Sequence, residues 1–316
     1  MIETDVLIVG GGPAGSACAW RLNQHHHKAL ILDQANFPRV KPCAGWITPA
    51  VFRHLGITPD DYPYGLTRFS SFKISLKGFR FTMPTHQYAI RRIEFDAWLL
   101  ERAGTEFNNH RVKNIEIVDG RYIVDDQFSA HYLVGAGGTH CPVRRMLFNP
   151  DKALKKDGLI VAKEEEFAYS YHDDRCYLWF FEDKLPGYAW YVPKAEGYLN
   201  VGIGGSAQGL KDRKVTLNEH WDLLLEKLED EGLVTGHDFK PDGHSYYLRS
   251  KSPQFRQGNA FLVGDALGLA TRDMGEGIGA AIQSGILAAD AIANHNSYAI
   301  NSIPRFSFPS LIGLRK

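Results

Sequence analysis

The chain lacks any stretch near the ~18 consecutive apolar residues that a membrane-spanning helix requires, so an integral helical membrane protein is not expected. Cysteine is scarce: Cys18, Cys43, Cys141 and Cys176 are the 4 in the sequence, widely spaced and without a CxxC pair. That argues against a disulfide framework or a structural zinc site and fits reduced thiols in a cytosol. Charge of one sign is also missing. Lys plus Arg number 36 and Asp plus Glu number 36, which gives no reason to expect nucleic acid as a partner. The opening Met1-Ile2-Glu3-Thr4 has no basic segment followed by an apolar one, so no secretory signal is expected. Internal repeats and low-complexity linkers are absent as well. The expectation is a cytoplasmic chain that meets a membrane at most peripherally, with its oligomeric state left open.

What is present is the composition of an ordinary globular protein, with 44% apolar and 23% charged residues. A chain of 316 residues is long enough for two lobes or one large α/β unit. The first 35 residues read as a βαβ unit. The apolar run Val6–Val9 is a buried parallel strand, residues 14–23 are helical, and Ala29-Leu30-Ile31-Leu32 is the second strand. Residues 37–46 read as a loop rich in proline, glycine and cations. Alternation at Phe69, Phe72, Ile74, Phe79 and Phe81 predicts strands, and a helix is expected over 94–103. Tyr132-Leu133-Val134 is a further apolar strand. Between about 159 and 248 several short strands suggest a mainly antiparallel sheet. Within that stretch Thr216-Leu217-Asn218-Glu219 predicts a capping box for a helix with Leu217, Trp221, Leu224 and Leu228 as its apolar stripe. The chain then returns to a strand at 260–263 and a helix at 277–293.

Gly10-Gly11-Gly12-Pro13-Ala14-Gly15 contains GxGxxG directly between a strand and a helix. Gly10 permits the tight turn, Gly12 lets the backbone approach a pyrophosphate, and Gly15 lets the helix pack closely on the strand. Asp33, followed by Gln34, ends the second strand where a ribose hydroxyl would be paired. A simple NAD dehydrogenase would continue with alternating βα units; this chain does not. It comes back to glycines near its other end, in Val263-Gly264-Asp265-Ala266 and Met274-Gly275-Glu276-Gly277-Ile278-Gly279. Asp265 on a strand end can hold a polyol such as ribitol. A helix starting at Gly277-Ile278 can face the edge of a flavin that turns anionic on reduction. FAD is therefore the expected cofactor.

These motifs, with Phe37-Pro38-Arg39-Val40-Lys41-Pro42-Cys43-Ala44-Gly45-Trp46 and Arg92-Ile93-Glu94-Phe95-Asp96, resemble the geranylgeranyl reductase family, within the p-hydroxybenzoate hydroxylase-like flavoproteins. Residues 187–194 and 200–204 are also similar to that family's middle region. The resemblance implies an α/β protein with an α+β second lobe. A Rossmann-like FAD-binding domain (1–66, 91–150 and 255–300) would join a mainly antiparallel substrate domain (67–90 and 151–254), followed by a tail (301–316). It further implies that Gly12, Pro13, Ala14 and Asp33 hold the ADP half of FAD. Arg39, Lys41 and Ala44 would lie near flavin and pyrophosphate, and Arg92 would reach phosphate or ribityl oxygens. Asp265 would bind ribityl or pyrophosphate groups, Gly277 and Ile278 the pyrimidine edge, and Gly264 and Gly275 would also belong to the cofactor site. Cys43, Gly45 and Trp46 are the candidate catalytic loop. Arg92 has a rival role, pairing with Glu94 or Asp96.

Two departures from the family stand out. Gly135-Ala136-Gly137-Gly138 lacks the acid of the usual G-A-D-G, which in related enzymes is associated with riboses and pyridine nucleotide, so NADPH and NADH stand only as candidate donors. The tail is short, with packing on the body as its expected role. The expected activity is hydride transfer from reduced flavin to a double bond of a small apolar substrate, isoprenoid by resemblance. Phe180, Tyr188, Trp190 and Tyr191 are candidates for lining its pocket. The rivals are a monooxygenase or halogenase, since Trp190-Tyr191-Val192-Pro193 faintly resembles W-x-W-x-I-P, and a flavin-binding redox protein without turnover. His25-His26-His27 is not expected to bind metal, because consecutive side chains diverge.

Overall fold

The computed structural model describes residues 1–148, 154, 158–250 and 254–312. The first apolar run forms β1 (Ile2–Val9), in which Val6, Leu7 and Ile8 are fully buried, as a strand covered on both faces must be. It leads through the glycine turn into α1 (Pro13–Gln24) and then β2 (Ala29–Asp33). Next come β3 (Trp46–Ile47), α2 (Pro49–Leu55), the long hairpin β4 (Thr67–Leu76) and β5 (Phe79–Ala89), and α3 (Arg92–Arg102). Strands β6 (Glu106–Asn109), β7 (Ile115–Val118), β8 (Arg121–Val124) and β9 (Phe128–Gly135) precede α4 (Pro142–Leu147). The middle of the chain supplies β10 (Leu159–Ala168), β11 (Cys176–Phe180), β12 (Gly187–Lys194), β13 (Tyr198–Ser206), α5 (Ala207–Arg213) and α6 (Leu217–Asp230). The last elements are β14 (Asp242–Tyr247), β15 (Arg256–Gln257), β16 (Ala260–Leu262), α7 (Ile278–Ala293) and α8 (Phe308–Leu311).

Two sheets result. The first runs β15-β16-β9-β1-β2-β6, parallel from β16 to β6, with β8 and β7 added antiparallel beside β9. The second runs β14-β10-β13-β12-β11-β4-β5-β3 and is antiparallel except between β11 and β4. Trp46–Ile47 already pairs with β5, so the chain reaches the second sheet earlier than the expected boundary at Thr67. The reason is local: residues 37–45 form an irregular crossing, and Gly45 redirects it onto the edge of β5.

The expected capping box exists. Thr216 Oγ1 accepts from Glu219 N at 3.2 Å, and Glu219 accepts from Thr216 N at 2.7 Å. Trp221, Leu224 and Leu228 then bury against the outer face of the second sheet, beside Tyr191, Leu199 and Val201. The described part of the tail packs on the body, as expected. Arg249 donates to the carbonyls of Ile303 and Ile300 at 2.8 Å, and Asp273 accepts from Ser307 N at 3.0 Å and Phe308 N at 2.7 Å. Residues 313–316 lie outside the described residues.

Helices α1 and α7 are the closest-packed pair. A Cβ on Gly285 would stand 2.1 Å from the Ala14 carbonyl oxygen, and Arg21 Nε pairs with Asp290 at 2.6 Å. Contacts thus advance together along both helices, Ala14 with Gly285 and Arg21 with Asp290, so the helices run parallel. Their N-termini lie at the same end.

Candidate active site

That shared end opens on a cavity of ≈ 610 Å³ between the two sheets. Neither helix start is capped by a side chain at its N-cap residue, Gly12 for α1 and Gly277 for α7. First turns present N–H groups and partial positive charge, though in α7 one of them, Gly279 N, is taken by Glu276 Oε1 at 2.6 Å. Gly12, Pro13 and Ala14 line one part of the cavity, and Gly275, Gly277 and Ile278 another. Ala136, Gly137 and Gly138, the acid-less second glycine segment, form wall between them.

Most of the residues singled out from sequence come together here. Gly10, Asp33 and Gln34 line the end beneath β1 and β2, Arg39, Lys41, Cys43, Ala44 and Trp46 the crossing loop, and Arg92 and Asp265 the middle. Gly15, Gly45 and Gly264 do not line it. Gly15 serves helix–strand contact: an added Cβ would lie 1.9 Å from the Gly10 carbonyl oxygen. Gly264 packs under the site, its N–H donating to Ser284 Oγ at 2.8 Å. Gly45, placed in the candidate catalytic loop, is a backbone corner with φ +66° whose Cβ would meet the Ile90 oxygen at 2.1 Å and Lys194 Nζ at 2.3 Å. Its glycine is explained by that left-handed turn rather than by chemistry.

Cations dominate the floor. Asp96, fully buried, takes a bidentate pair from Arg92 at 2.7 and 2.8 Å and an ion pair from Arg39 Nη2 at 3.3 Å. The Asp96 role weighed for Arg92 is therefore real, while Arg92 also lines the cavity. Burial works against the Arg92 guanidinium, but the Asp96 charge and its hydrogen bonds, together with Cys43, outweigh it and hold the group charged. Among the described residues Lys41 has no such partner; its Nζ donates to the Pro42 oxygen at 3.3 Å, and burial, then repulsion from Arg92, pushes its ammonium down. Burial also lowers Arg39. An anion laid across this floor would relieve both. Asp33 is partly spent: it accepts from Gly11 N at 2.8 Å and Ala35 N at 2.9 Å, fixing the glycine loop. A carboxylate offers about four acceptor positions, so capacity remains for a ribose hydroxyl.

Three residues that sequence reading did not pick out change the chemistry. Glu164 on β10 is 3% exposed and its Oε2 has no hydrogen-bond partner among the described residues. Burial raises its carboxyl to about 7 despite Lys194, Asn200 and Lys41 nearby. Glu276, inside the GEGIG motif, is also raised by burial to about 7, although its Oε1 accepts from Gly279 N at 2.6 Å. His244 on β14 has an unpartnered buried Nδ1, and burial followed by the charges of Lys41 and Arg92 lowers it to about 3, so it is neutral. One signal for Glu164 was available in the sequence. In the alternating strand Ile160, Ala162, Glu164 it occupies an inward position where an apolar residue is the rule.

Of the four aromatic residues considered for the pocket, Tyr188 and Trp190 line it. Phe180 does not, and Tyr191 packs on the opposite face with Trp179 and Trp221, since successive strand residues point to opposite sides. The Tyr188 hydroxyl donates to the Met274 oxygen at 2.7 Å, tying this wall to the GEGIG segment.

FAD is a long dianion with an apolar ring at one end, and the residues present fit it. The position of a Gly12 Cβ meets only Arg39 Nη2, at 3.4 Å, leaving the backbone open to a pyrophosphate. Two parallel helix starts supply N–H groups, and the Trp46, Tyr188 and Trp190 side offers an apolar slot. Replacing Gly15 by Ala is expected to weaken flavin retention by on the order of 1–3 kcal/mol, because α1 must move off β1. Gly243→Ala, where the added Cβ meets only the Ala162 oxygen at 3.9 Å, is expected to retain flavin like the parent. The ratio of visible to ultraviolet absorbance after gel filtration checks both.

Comparison with known proteins agrees. Residues 8–49 match the family model of an NAD(P)-binding Rossmann-like domain. An uncharacterized protein of Methanosarcina barkeri is 32% identical over 313 residues, covering 93% of this chain and 76% of that protein. Digeranylgeranylglycerophospholipid reductase 3 of Methanosphaera stadtmanae is 28% identical over 329 residues, covering 93% and 79%. Among solved structures, a geranylgeranyl bacteriochlorophyll reductase-like protein from Thermoplasma acidophilum superposes with a TM-score of 0.79 at 23% identity, covering 95% of this chain and 79% of that one, a likeness of fold. With a glycine-led helix start at each end of the chain opening on one cavity, and relatives of this kind along nearly all of its length, the chain belongs to the geranylgeranyl reductase family of FAD-dependent oxidoreductases.

Proposed function

We propose that the chain reduces carbon–carbon double bonds of a small apolar, isoprenoid-type substrate, with NADPH or NADH as the source of electrons. The observation that carries this reading is Glu164: a buried carboxyl with its Oε2 unpaired among the described residues, raised to about 7, facing an aromatic-walled cavity. The reductase names of the relatives support the substrate class.

Bound and reduced, FAD supplies a hydride equivalent to one carbon of the double bond. The protein's own tasks follow from the geometry. The helix starts at Gly12 and Gly277, with Arg39 and Lys41, would hold the dinucleotide. Tyr188, Trp190 and Trp46 orient the apolar substrate and exclude water. Glu164 in its protonated form delivers the proton to the second carbon, and a raised carboxyl can do this at neutral pH where an ordinary one cannot.

The test is anaerobic stopped-flow. The yellow protein is reduced with NADPH, NADH or dithionite in separate runs, then mixed with polyprenyl lipid. Return of the oxidised flavin spectrum without oxygen, with a saturated product, is expected. Reoxidation that requires oxygen would replace this reading with a monooxygenase or halogenase, and a spectrum indifferent to lipid would leave a redox carrier.

A further inference from the structure

The second sheet carries two apolar rows from the cavity to the molecular surface. Tyr188 pairs with Phe180, Phe180 with Leu76, and Leu76 with Phe79. Beside it, Trp190 pairs with Leu178, Leu178 with Ile74, and Ile74 with Phe81. Directly opposed residues share a face, so each row starts at a cavity-lining aromatic and ends on β5, three strand spacings or roughly 14 Å away. The outer ends are bare. Phe79 is 70% exposed, Leu76 43% and Phe81 40%, and Phe181, beside Phe180, is 44% exposed.

The β4–β5 hairpin ends here, held to the body on one side by β11 and by Arg80 on Glu231. Every residue from Leu76 to Thr82 is exposed, on both faces of the ribbon. Cations accompany the apolar tip: Lys77 in the turn, with its N–H on the Phe180 oxygen at 3.1 Å, and Lys184 after Phe181, neither in an ion pair among the described residues. Lys73 reaches Thr82 Oγ1 at 2.8 Å, and Arg80 pairs with Glu231. The nearby turn also carries the exposed acid Asp183. Further along the same strand, α8 sits on β5 through Thr85 and Gln87 and leaves Phe308 and Ile312 exposed.

We propose that this hairpin tip is a docking site for a lipid bilayer with anionic headgroups. Exposed aromatic and aliphatic side chains at the hairpin end, with Lys77 and Lys184 beside them, match the interfacial zone, where rings enter the acyl boundary and ammonium groups meet lipid phosphates. A second copy of the chain fits less well. The free edge of β5 carries Pro84 and Arg80, which oppose edge-to-edge strand pairing. Docked this way, the two rows lead from the bilayer to the cavity. The docking itself is independent of the proposed substrate, because it is measured without turnover.

The experiment is co-sedimentation of the full flavin-loaded chain with phosphatidylcholine vesicles and with vesicles containing phosphatidylglycerol. Expected is binding to the anionic vesicles that weakens with salt. The pair Phe79→Ser with Phe81→Ser, and separately Lys77→Glu, should each lower the partition coefficient about tenfold or more, with flavin content and circular dichroism unchanged. No binding by the parent chain overturns the proposal, as does equal binding by both variants. So does self-association in sedimentation equilibrium that the paired serine variant abolishes, which would assign the tip to a second copy.

Discussion

Asp96→Ala is expected to lose about 3–5 kcal/mol of folding stability, the usual consequence of removing one partner from a buried ion pair. Asp96 has no exposure and is held by Arg92 through two hydrogen bonds, with Arg39 Nη2 at 3.3 Å. Its loss leaves two neighbouring guanidinium groups without the carboxylate they share, and Asp33 acts only on Arg39. Urea denaturation followed by circular dichroism measures the effect. Asp96→Asn preserves shape but has no charge and only one acceptor oxygen, so an intermediate loss is expected. Added FAD should restore more stability to the alanine variant than to the parent, because its pyrophosphate would neutralise the orphaned cations. An unchanged denaturation midpoint for Asp96→Ala would mean that water reaches this floor, and the account of its electrostatics would fail.

Glu164→Gln is expected to lower turnover on the order of 10²- to 10³-fold while leaving bound FAD in place, the range typical for loss of a positioned proton donor. The pH dependence gives the sign. The carboxyl titrates at about 7, so the proton-donating form prevails below that pH and is lost above it. Parent turnover should therefore fall as pH climbs past about 7, and that limb should be absent from the glutamine variant. Stability supplies a reading that needs no turnover. Because burial raises Glu164 above its unfolded value, its favourable contribution is complete below the ordinary carboxyl range and is lost as pH rises through about 7. At pH 8 the parent holds a buried charge that the glutamine variant does not, so Glu164→Gln should melt at a higher temperature than the parent at pH 8 and not at pH 5. Glu276 provides the contrast. Its Oε1 is engaged by Gly279 N at the start of α7, so Glu276→Gln should impair flavin retention more than it alters the pH limb.

Much of the nucleotide-binding half was legible because its determinants are local. A glycine turn between strand and helix, an acid at the end of the next strand, and a capping box are specified by residues within a few positions of one another. They reappear as Gly10 to Gly15, Asp33, and Thr216 with Glu219. The parallel run of α1 and α7 was not legible. It depends on contacts such as Arg21 with Asp290, which no local pattern encodes. Arg92 shows the same limit: sequence offered phosphate or a neighbouring carboxylate, and the fold supplies Asp96 while keeping Arg92 at the cavity.

By itself, then, the sequence determined that a dinucleotide with a flavin ring is the expected ligand, that a mainly antiparallel sheet stands beside its binding fold, and that the loop 37–46 belongs to the site. The tertiary structure alone decided that Gly45 is a corner, that Tyr191 faces away from the cavity, that Glu164 is buried with one oxygen unpaired among the described residues, and that two apolar rows reach the surface at Phe79 and Phe81. The physical reason is common to all four. Burial and strand register are set by what lies across a sheet, and the residues lying across this one come from distant parts of the chain.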